Sequence, residues 1–598
     1  MVIKYLKSFF LLLLPHERKL TLLLFLMTLA MVLIEMIGIV SILPFLYVLS
    51  DPSLIETNRI LKIIFQFSFN KFGIETNYQF LLFLGTITFF LLLFSLCLKT
   101  LTIYAQQRFI EMRKFSLAQR LVKGYLHQSY LWFLSRHSSS LAKNILDESH
   151  LVISRGLHHM MNLIMHIFYA LVIIIFLTFL DPFIMIVISF AFGISYGLIF
   201  LSSKKIIGKF GTERYDNNDL IFKSINETFR AIKQIKVSNL ENVYIKRISK
   251  IGLILARNSA FVGIVAQIPR YFLELIVFGG MLLLTLYLMT KNGSVESALP
   301  LIVIYAVSGY KLMPAMQGIY ISLINLNYVS ISVEKINEEL KTIKKNEIIK
   351  GDKNFTLGKS INLKNICFKY PDASRNALND INLNIPAFSS VAIIGTTGSG
   401  KTTIVDVLLN LLAPHKGKIE VDGQDINRLN TKEWLRSIGY VPQQVFLNDD
   451  TIEANIAFGV DQDTVDHQLI RQASKIAQLD EFIMDELPNK YQTLIGEQGV
   501  RLSGGQRQRI GIARALYHKP KLLILDEATN ALDITTEQKI MDEIFTIKNM
   551  TVIVITHRLE ILKKCNKIIL IDNGKIKMDG DYDSLIRSNL YFPLKDNN

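Results

Sequence analysis

The run Gly395-Thr396-Thr397-Gly398-Ser399-Gly400-Lys401-Thr402 sets glycines ahead of a lysine and a hydroxyl. Glycines let successive backbone N–H groups turn toward one point, and a helix beginning there adds partial positive charge. The spacing fits a phosphate-binding loop, with Thr403 just beyond it. Lys401 is expected to reach the β- and γ-phosphates of a nucleotide, and the Thr402 hydroxyl to bind Mg²⁺. A second acidic site follows in Leu522-Leu523-Ile524-Leu525-Asp526-Glu527. Four apolar residues ending in two carboxylates read as a central strand with its charges at the C-terminal end, where α/β sheets bind ligands. Asp526 is expected on the Mg²⁺ and Glu527 as the general base that polarises water. Tyr370, in Phe368-Lys369-Tyr370-Pro371, is placed to stack on adenine. ATP and Mg²⁺ are therefore the implied cofactors.

The elements needed to position these groups are legible nearby. Val391-Ala392-Ile393-Ile394 reads as a buried strand leading into the loop, and residues 403–412 as a helix leaving it. Residues 552–555 form another apolar run, ending just before His557. From about Gly358 onward the chain reads as a soluble α/β domain.

The first half differs. Of 598 residues, 50% are hydrophobic and 20% charged, and the mean hydropathy is +0.32, too apolar for an ordinary soluble protein. The net charge of +15 raises the question of nucleic acid. The Lys and Arg residues flank apolar runs instead, as the positive-inside bias requires, so no nucleic-acid partner is expected. Residues 20–49, 80–104, 160–180, 183–201, 261–290 and 297–326 are each long enough to cross a bilayer, which takes about 20 apolar residues. The short apolar run near residues 9–14 lacks an obvious cleavage site and does not read as a removable signal. Cys97, Cys367 and Cys565 show neither pairing nor metal spacing, the pattern of a reducing compartment.

Between these spans, residues 105–157 and 202–260 are polar, basic and helical in character. Placing both in the cytoplasm also places the N-terminus and the soluble domain there. Only Asp181-Pro182 separates the third and fourth spans, a tight turn on one face. Residues 54–67 would lie outside, either as an amphipathic interfacial helix or as an ordered loop. Residues 333–353 are rich in Lys, Glu and Asn without an evident apolar face and read as a linker. The expected organisation is multi-domain: an all-α six-helix transmembrane domain (1–332), a linker (333–357) and an α/β P-loop nucleotide-binding domain (358–598).

Ionisable residues inside the spans are few: Glu35, Lys99, Arg270, Glu274 and Lys311. A charge at bilayer depth costs about 2.5–3.5 kcal/mol or more, so each is a functional candidate. At 1.5 Å per residue, Arg270 lies roughly 15–20 Å from the cytoplasmic end of its span, and Lys311 at a similar depth in the next. Lys99, Arg270 and Lys311 could then line one inward-opening cavity. The competing reading is local: Arg270 and Glu274, four apart, neutralise each other, and Lys99 snorkels to the interface.

Leu502-Ser503-Gly504-Gly505-Gln506 resembles the signature motif of ATP-binding-cassette proteins. In that family the signature caps a nucleotide held by the opposite cassette. The resemblance thus implies a partner, a second copy of the chain, and a cofactor-binding role for Ser503, Gly504, Gly505 and Gln506. His557 resembles the switch histidine, Gln443 in Tyr440-Val441-Pro442-Gln443 the glutamine that senses Mg²⁺ and water, and Asp533 the loop crossing the dimer interface. Long cytoplasmic extensions match the type IV exporter class, which implies coupling helices near residues 131–138 and 227–235. Residues 268–274 and 310–314 look like the fifth- and sixth-span motifs of PglK-type lipid-linked oligosaccharide flippases. That likeness implies ATP-driven flipping of a polyprenyl-diphosphate-linked glycan across a bacterial inner membrane. The family's cationic positions are arginines proposed to attract the pyrophosphate; here Lys99 and Lys311 replace two of them, keeping charge but not bidentate geometry. The alternative is a multidrug, lipid or peptide exporter of the same architecture.

Overall fold

A computed structural model describes residues 2–50, 52–180, 182–292, 295–344, 357–371, 373–426 and 431–588. The chain divides into two compact units, Met1–Gln128 with Phe133–Glu347, and Ser129–Trp132 with Ile348–Asn598.

The described part of the first unit is helical. Its principal helices are α1 (Pro15–Val40), α2 (Arg59–Phe72), α3 (Asn77–Leu126), α4 (His158–Leu180), α5 (Pro182–Arg230), α6 (Glu241–Asn292), α7 (Val295–Tyr328) and α8 (Ser330–Lys344). Four stretches among the described residues are long and apolar enough to cross a membrane: Pro15–Leu49, Asn77–Leu126, Ser138–Phe179 and Glu241–Phe272. The expected fourth and sixth spans fall on α5 and α7, parts of whose side chains lie outside the described residues, as does Asp181 between α4 and α5. At 1.5 Å per residue, the 50-residue α3 is about 75 Å long, against a hydrocarbon core of about 30 Å. The polar extensions expected after the spans are therefore continuations of the same helices.

Local chemistry sets the ends. Thr76 and Gln79 form a reciprocal capping box that opens α3. Asn58 accepts from the backbone of Ile60 and Leu61 to start α2, and Gly73, in the left-handed region, stops it. The segment expected over 54–67 is thus helical in two pieces, Leu54–Thr57 and α2. Leu61 is buried and Phe65 meets the edge of Phe80 at 5.0 Å, while Ile60, Ile63 and Phe67 remain exposed.

Helix contacts are polar as well as apolar. Pro269 lies inside α6 and lacks an N–H, which frees the carbonyl four residues earlier, that of Val265. The Tyr320 hydroxyl of α7 donates to that carbonyl at 3.2 Å. Gly211 of α5 lies so close to α7 that a Cβ there would sit 2.3 Å from the Tyr328 carbonyl oxygen. Arg214 bridges Glu148, at 2.9 Å, and Ser332, at 2.6 Å, both fully buried. The run from Ser138 to Leu180 passes through two π-helical turns, Asn144–Glu148 and Val152–Leu157.

The connector departs from expectation. Residues 330–344 form α8, and Val333, Ile336 and Leu340 are buried on one face of it. This is the apolar stripe of an ordinary amphipathic helix, diluted in the sequence by lysines and glutamates. The rest of the expected linker, 345–356, lies outside the described residues.

The second unit is an α/β domain with two sheets. The smaller is antiparallel, order β2-β1-β4-β5, from β1 (Ser360–Phe368), β2 (Leu378–Pro386), β4 (Lys416–Val421) and β5 (Gln424–Asp425). The larger has order β10-β9-β3-β8-β7-β6, from β3 (Ser390–Ile394), β6 (Ile438–Val441), β7 (Leu522–Asp526), β8 (Thr551–Ile555), β9 (Lys567–Asp572) and β10 (Lys575–Gly580). Strands β9, β3, β8, β7 and β6 are parallel and β10 pairs antiparallel at the edge. Every residue of β3, β7 and β8 is buried, as parallel strands covered on both faces must be. Helix α9 (Lys401–Leu408) follows β3, and its C-terminal end is held by Trp434, whose indole donates to the Leu408 carbonyl at 3.1 Å.

Candidate functional site

The phosphate loop hangs between β3 and α9. Gly395, Gly398 and Gly400 have φ of 155°, 77° and 110°, conformations L side chains rarely adopt. A Cβ on Gly395 would fall 2.2 Å from the Ile571 carbonyl oxygen, and one on Gly400 2.9 Å from that of Ala377. The glycines are thus required by both backbone angle and space. Lys401 folds back over the loop, its Nζ donating to the carbonyls of Gly395 at 2.6 Å and Thr396 at 3.0 Å. Burial lowers the Lys401 pKa, opposed by the nearby carboxylates of Glu527 and Asp526. The buried Ser399 hydroxyl has no hydrogen-bond partner, whereas Thr396, Thr397 and Thr402 are exposed. An orphaned hydroxyl, a cation resting on carbonyl oxygens and a ring of backbone N–H groups together fit a polyphosphate.

Strand β7 delivers the carboxylates. Burial, reinforced by Glu527, raises the Asp526 pKa against the pull of Lys401 and a bond from Tyr440. A cation at this oxygen would relieve that cost, so the donor set of Asp526 and the Thr402 hydroxyl fits Mg²⁺. Glu527 follows in the left-handed region, φ 49°, an unusual backbone for a carboxylate residue. Its Oε2 accepts from Gln443 Nε2 at 2.7 Å and Asn530 Nδ2 at 3.1 Å. His557 Nε2 lies 4.0 Å from the other oxygen, Oε1. Burial and the Lys401 charge lower the His557 pKa, with Glu527 opposing, which favours the neutral imidazole. Lys401, Asp526, Glu527, Gln443 and His557 are thereby drawn together from separate parts of the sequence. Asn530, one turn beyond Glu527, is a member that the sequence reading missed; its only signal was the i+3 spacing.

Other expected residues take local roles. Tyr370 is half-buried, edge-on to Phe368 at 5.0 Å, its hydroxyl 3.3 Å from that of Thr403. Ser503 caps helix α10 (Gly504–Tyr517): its Oγ accepts from the Gln506 N–H and its N–H donates to Gln506 Oε1. Gly504 and Gly505 lie against Ala531 and Leu532, and Gln508 accepts from the Ala531 N–H at 2.9 Å. Asp533 in turn caps helix α11 (Ile534–Thr546) by accepting from Thr536 N and Thr535 Oγ1. Signature and Asp533 loop therefore form one continuous patch.

The first unit holds a separate site. Glu35, Lys99, His166, Tyr169, Arg270 and Lys311 line one cavity of about 530 Å³, walled by Met31, Met165 and Met313 among others. Lys99, Arg270 and Lys311 are all among its lining residues. Their partners were only partly foreseen. Arg270 Nε bonds Glu274 at 3.0 Å, the i+4 pair weighed from sequence. Lys99 does not snorkel away; it bonds Glu35 at 3.2 Å, and Lys311 bonds the same carboxylate at 2.6 Å. A smaller cavity of about 220 Å³ shares Met31, Lys99 and Met165 and adds Gln106, His158 and Asn162. Gln106 donates to Asn162, which bonds His158.

Comparison with known proteins agrees with this geometry. Residues 378–530 match the family model described as ABC transporter. The chain is 38% identical over 261 residues to the Bacillus subtilis ABC transporter ATP-binding protein YfiB, covering 44% of this chain and 45% of the relative. It is 44% identical over 236 residues to the ATP-dependent lipid A-core flippase of Saccharophagus degradans, covering 39% and 40%. It is 42% identical over 263 residues to the α-hemolysin translocation ATP-binding protein HlyB of Escherichia coli O157:H7, covering 43% and 36%. The chain thus spans less than half the length of each of these curated relatives. A solved structure of a bacterial Atm1-family ABC exporter with ATP bound superposes with a TM-score of 0.76 at 22% identity, covering 95% of this chain and 97% of that one. Residues 378–530 thus match the ABC transporter family model, on a chain that has the fold of a bacterial Atm1-family ABC exporter.

Proposed function

We propose that two copies of this chain form an exporter that uses ATP to flip a polyprenyl-diphosphate-linked oligosaccharide from the cytoplasmic to the periplasmic leaflet of a bacterial inner membrane. MgATP, when bound, supplies the phosphoanhydride whose cleavage drives the cycle. Lys401 and the backbone N–H groups of the Gly395–Thr402 loop bind its phosphates, Tyr370 stacks on the base, and Thr402, Asp526 and Gln443 hold the metal. Glu527 Oε2, oriented by Gln443 and Asn530, accepts a proton from water, and neutral His557 polarises the same region. Ser503, Gly504, Gly505, Gln506 and Asp533 form a patch suited to face the nucleotide of the second copy.

The cargo reading rests on one observation: Lys99, Arg270 and Lys311 line a single cavity among apolar side chains. A diphosphate is a concentrated anion that an apolar cavity excludes and that cations in a low dielectric attract strongly. The relatives, whose names range from lipid A-core flippase to α-hemolysin translocation, do not select among cargoes, since each aligns with less than half of this chain. Two experiments test the halves separately. Glu527→Gln should lower ATPase turnover by about 10²–10⁴ while ATP binding persists, the range for loss of a general base. Charge reversal at Arg270 and Lys311 should abolish glycan assembly in a complementation assay; intact assembly refutes the diphosphate cargo.

A further inference from the structure

Glu35 is the carboxylate that lines the membrane cavity beside the three cations. It comes from α1 and is only 4% exposed. Lys99 of α3 reaches both of its oxygens, at 3.2 and 3.3 Å, and Lys311 of α7 reaches one at 2.6 Å. The three groups are not equally accessible: the Lys99 and Lys311 side chains are 38% and 29% exposed, the Glu35 side chain 5%. All three line the cavity, but the two ammoniums are the more exposed and sit on flexible four-carbon stems that can pivot into the open space. Glu35 cannot follow them.

We propose that Glu35 is a resident counter-ion that a diphosphate group must displace in order to take Lys99 and Lys311. The inference rests on reading the cavity as a diphosphate site and adds how that site loads and empties. With the cavity empty, each lysine is held by a carboxylate of unit charge. A diphosphate carries more charge and more acceptor oxygens, so it outcompetes Glu35 where a neutral amphiphile cannot. Binding leaves Glu35 buried without its cations, a cost that weakens the complex and favours return of the lysines on release. Glu35 therefore lowers affinity, selects for multiply charged headgroups and resets the site. Lysine suits this exchange better than arginine, whose planar fork would hold the carboxylate bidentately.

The test uses the full chain in lipid nanodiscs, with farnesyl diphosphate, inorganic pyrophosphate and farnesol as probes in equilibrium dialysis. Glu35→Gln removes the competitor and should tighten farnesyl diphosphate binding roughly tenfold or more, as when a site is released from a mostly occupied state. Farnesol binding should not change. Equal tightening toward pyrophosphate assigns the gain to the diphosphate alone, and tightening confined to the lipid assigns it to diphosphate and tail together; both support the exchange. A Glu35→Gln protein that binds farnesyl diphosphate no tighter than wild type overturns it. Because that variant could fail to fold, wild-type protein provides a second measurement. A carbodiimide should form an amide between Glu35 and Lys311, seen by peptide mass spectrometry, and saturating farnesyl diphosphate should reduce its yield several-fold. Undiminished yield refutes displacement. If Arg270→Glu abolishes diphosphate binding but Glu35→Gln does not tighten it, the cavity reading stands and this inference alone fails. If Arg270→Glu leaves binding intact and farnesol competes equally, both fail.

Discussion

Replacing Tyr320 by Phe removes one hydroxyl and keeps the ring, which sits 5.6 Å from that of Tyr196. The oxygen it serves is the Val265 carbonyl that Pro269 leaves without an intrahelical partner. Tyr320 is 1% exposed and Val265 7%, so water does not reach the pair. An unsatisfied buried acceptor costs about 1–3 kcal/mol, while hydrogen bonds between membrane helices average about 0.6 and reach about 1.7 kcal/mol. Because Pro269 offers that carbonyl no N–H, we expect the upper part of that second range, about 1.5 kcal/mol. Pro269→Ala restores an N–H to the same carbonyl. In that background Tyr320→Phe should cost about 0.5 kcal/mol or less, a coupling of about 1 kcal/mol. The four proteins can be unfolded reversibly by SDS in mixed micelles and followed by helical circular dichroism. Costs equal within about 0.3 kcal/mol in the two backgrounds would refute the pairing of proline and tyrosine.

Three further outcomes follow from the geometry. Arg214→Met strands the fully buried Glu148 carboxylate and should cost about 3–5 kcal/mol, most of it recovered when Glu148→Gln is added, in the same unfolding assay. Gly211→Ala would place a Cβ 2.3 Å from the Tyr328 carbonyl oxygen and should cost about 1–3 kcal/mol by forcing α5 from α7, whereas Gly252→Ala, with nothing within 4 Å, should stay near neutral. Burial, with help from Asp526, raises the Asp406 pKa from 3.8 to about 6. Between those values the folded nucleotide-free cassette keeps a proton that the unfolded chain has released. Asp406 should therefore make stability fall as pH rises through this window, and Asp406→Asn should reduce that slope in thermal unfolding of the full chain.

The nucleotide site was legible because each of its parts is a short contiguous run joined to its own strand. Glycines before Lys401, and carboxylates after four apolar residues, state backbone and chemistry within eight positions. The membrane site is written differently. Arg270 and Glu274 were paired in advance because four residues make one helical turn, but Glu35 lies 64 residues from Lys99 and 276 from Lys311. No periodicity joins positions on three different helices, so the sequence listed the charges without matching them. Helix α8 was missed for another reason: Val333, Ile336 and Leu340 form a stripe too thin to stand out among the surrounding charges. The Tyr320 contact was invisible because a proline announces the freed carbonyl but not its donor.

The two π-helical turns before α4 bear on how any site in that helix should be numbered. Each π turn accommodates one residue more than an α turn, and a residue corresponds to about 100° of rotation. Together Asn144–Glu148 and Val152–Leu157 offset the phase of the downstream helix by about 200° from what uninterrupted counting would give. His166 and Tyr169 line the cavity downstream of that offset. A wheel drawn from Ser138 through Leu180 would put them on nearly the opposite side. Deleting one residue within either turn would thus let it close as an ordinary α turn and leave everything beyond it facing as it does now, whereas the same deletion inside α4 would rotate all that follows by about 100°.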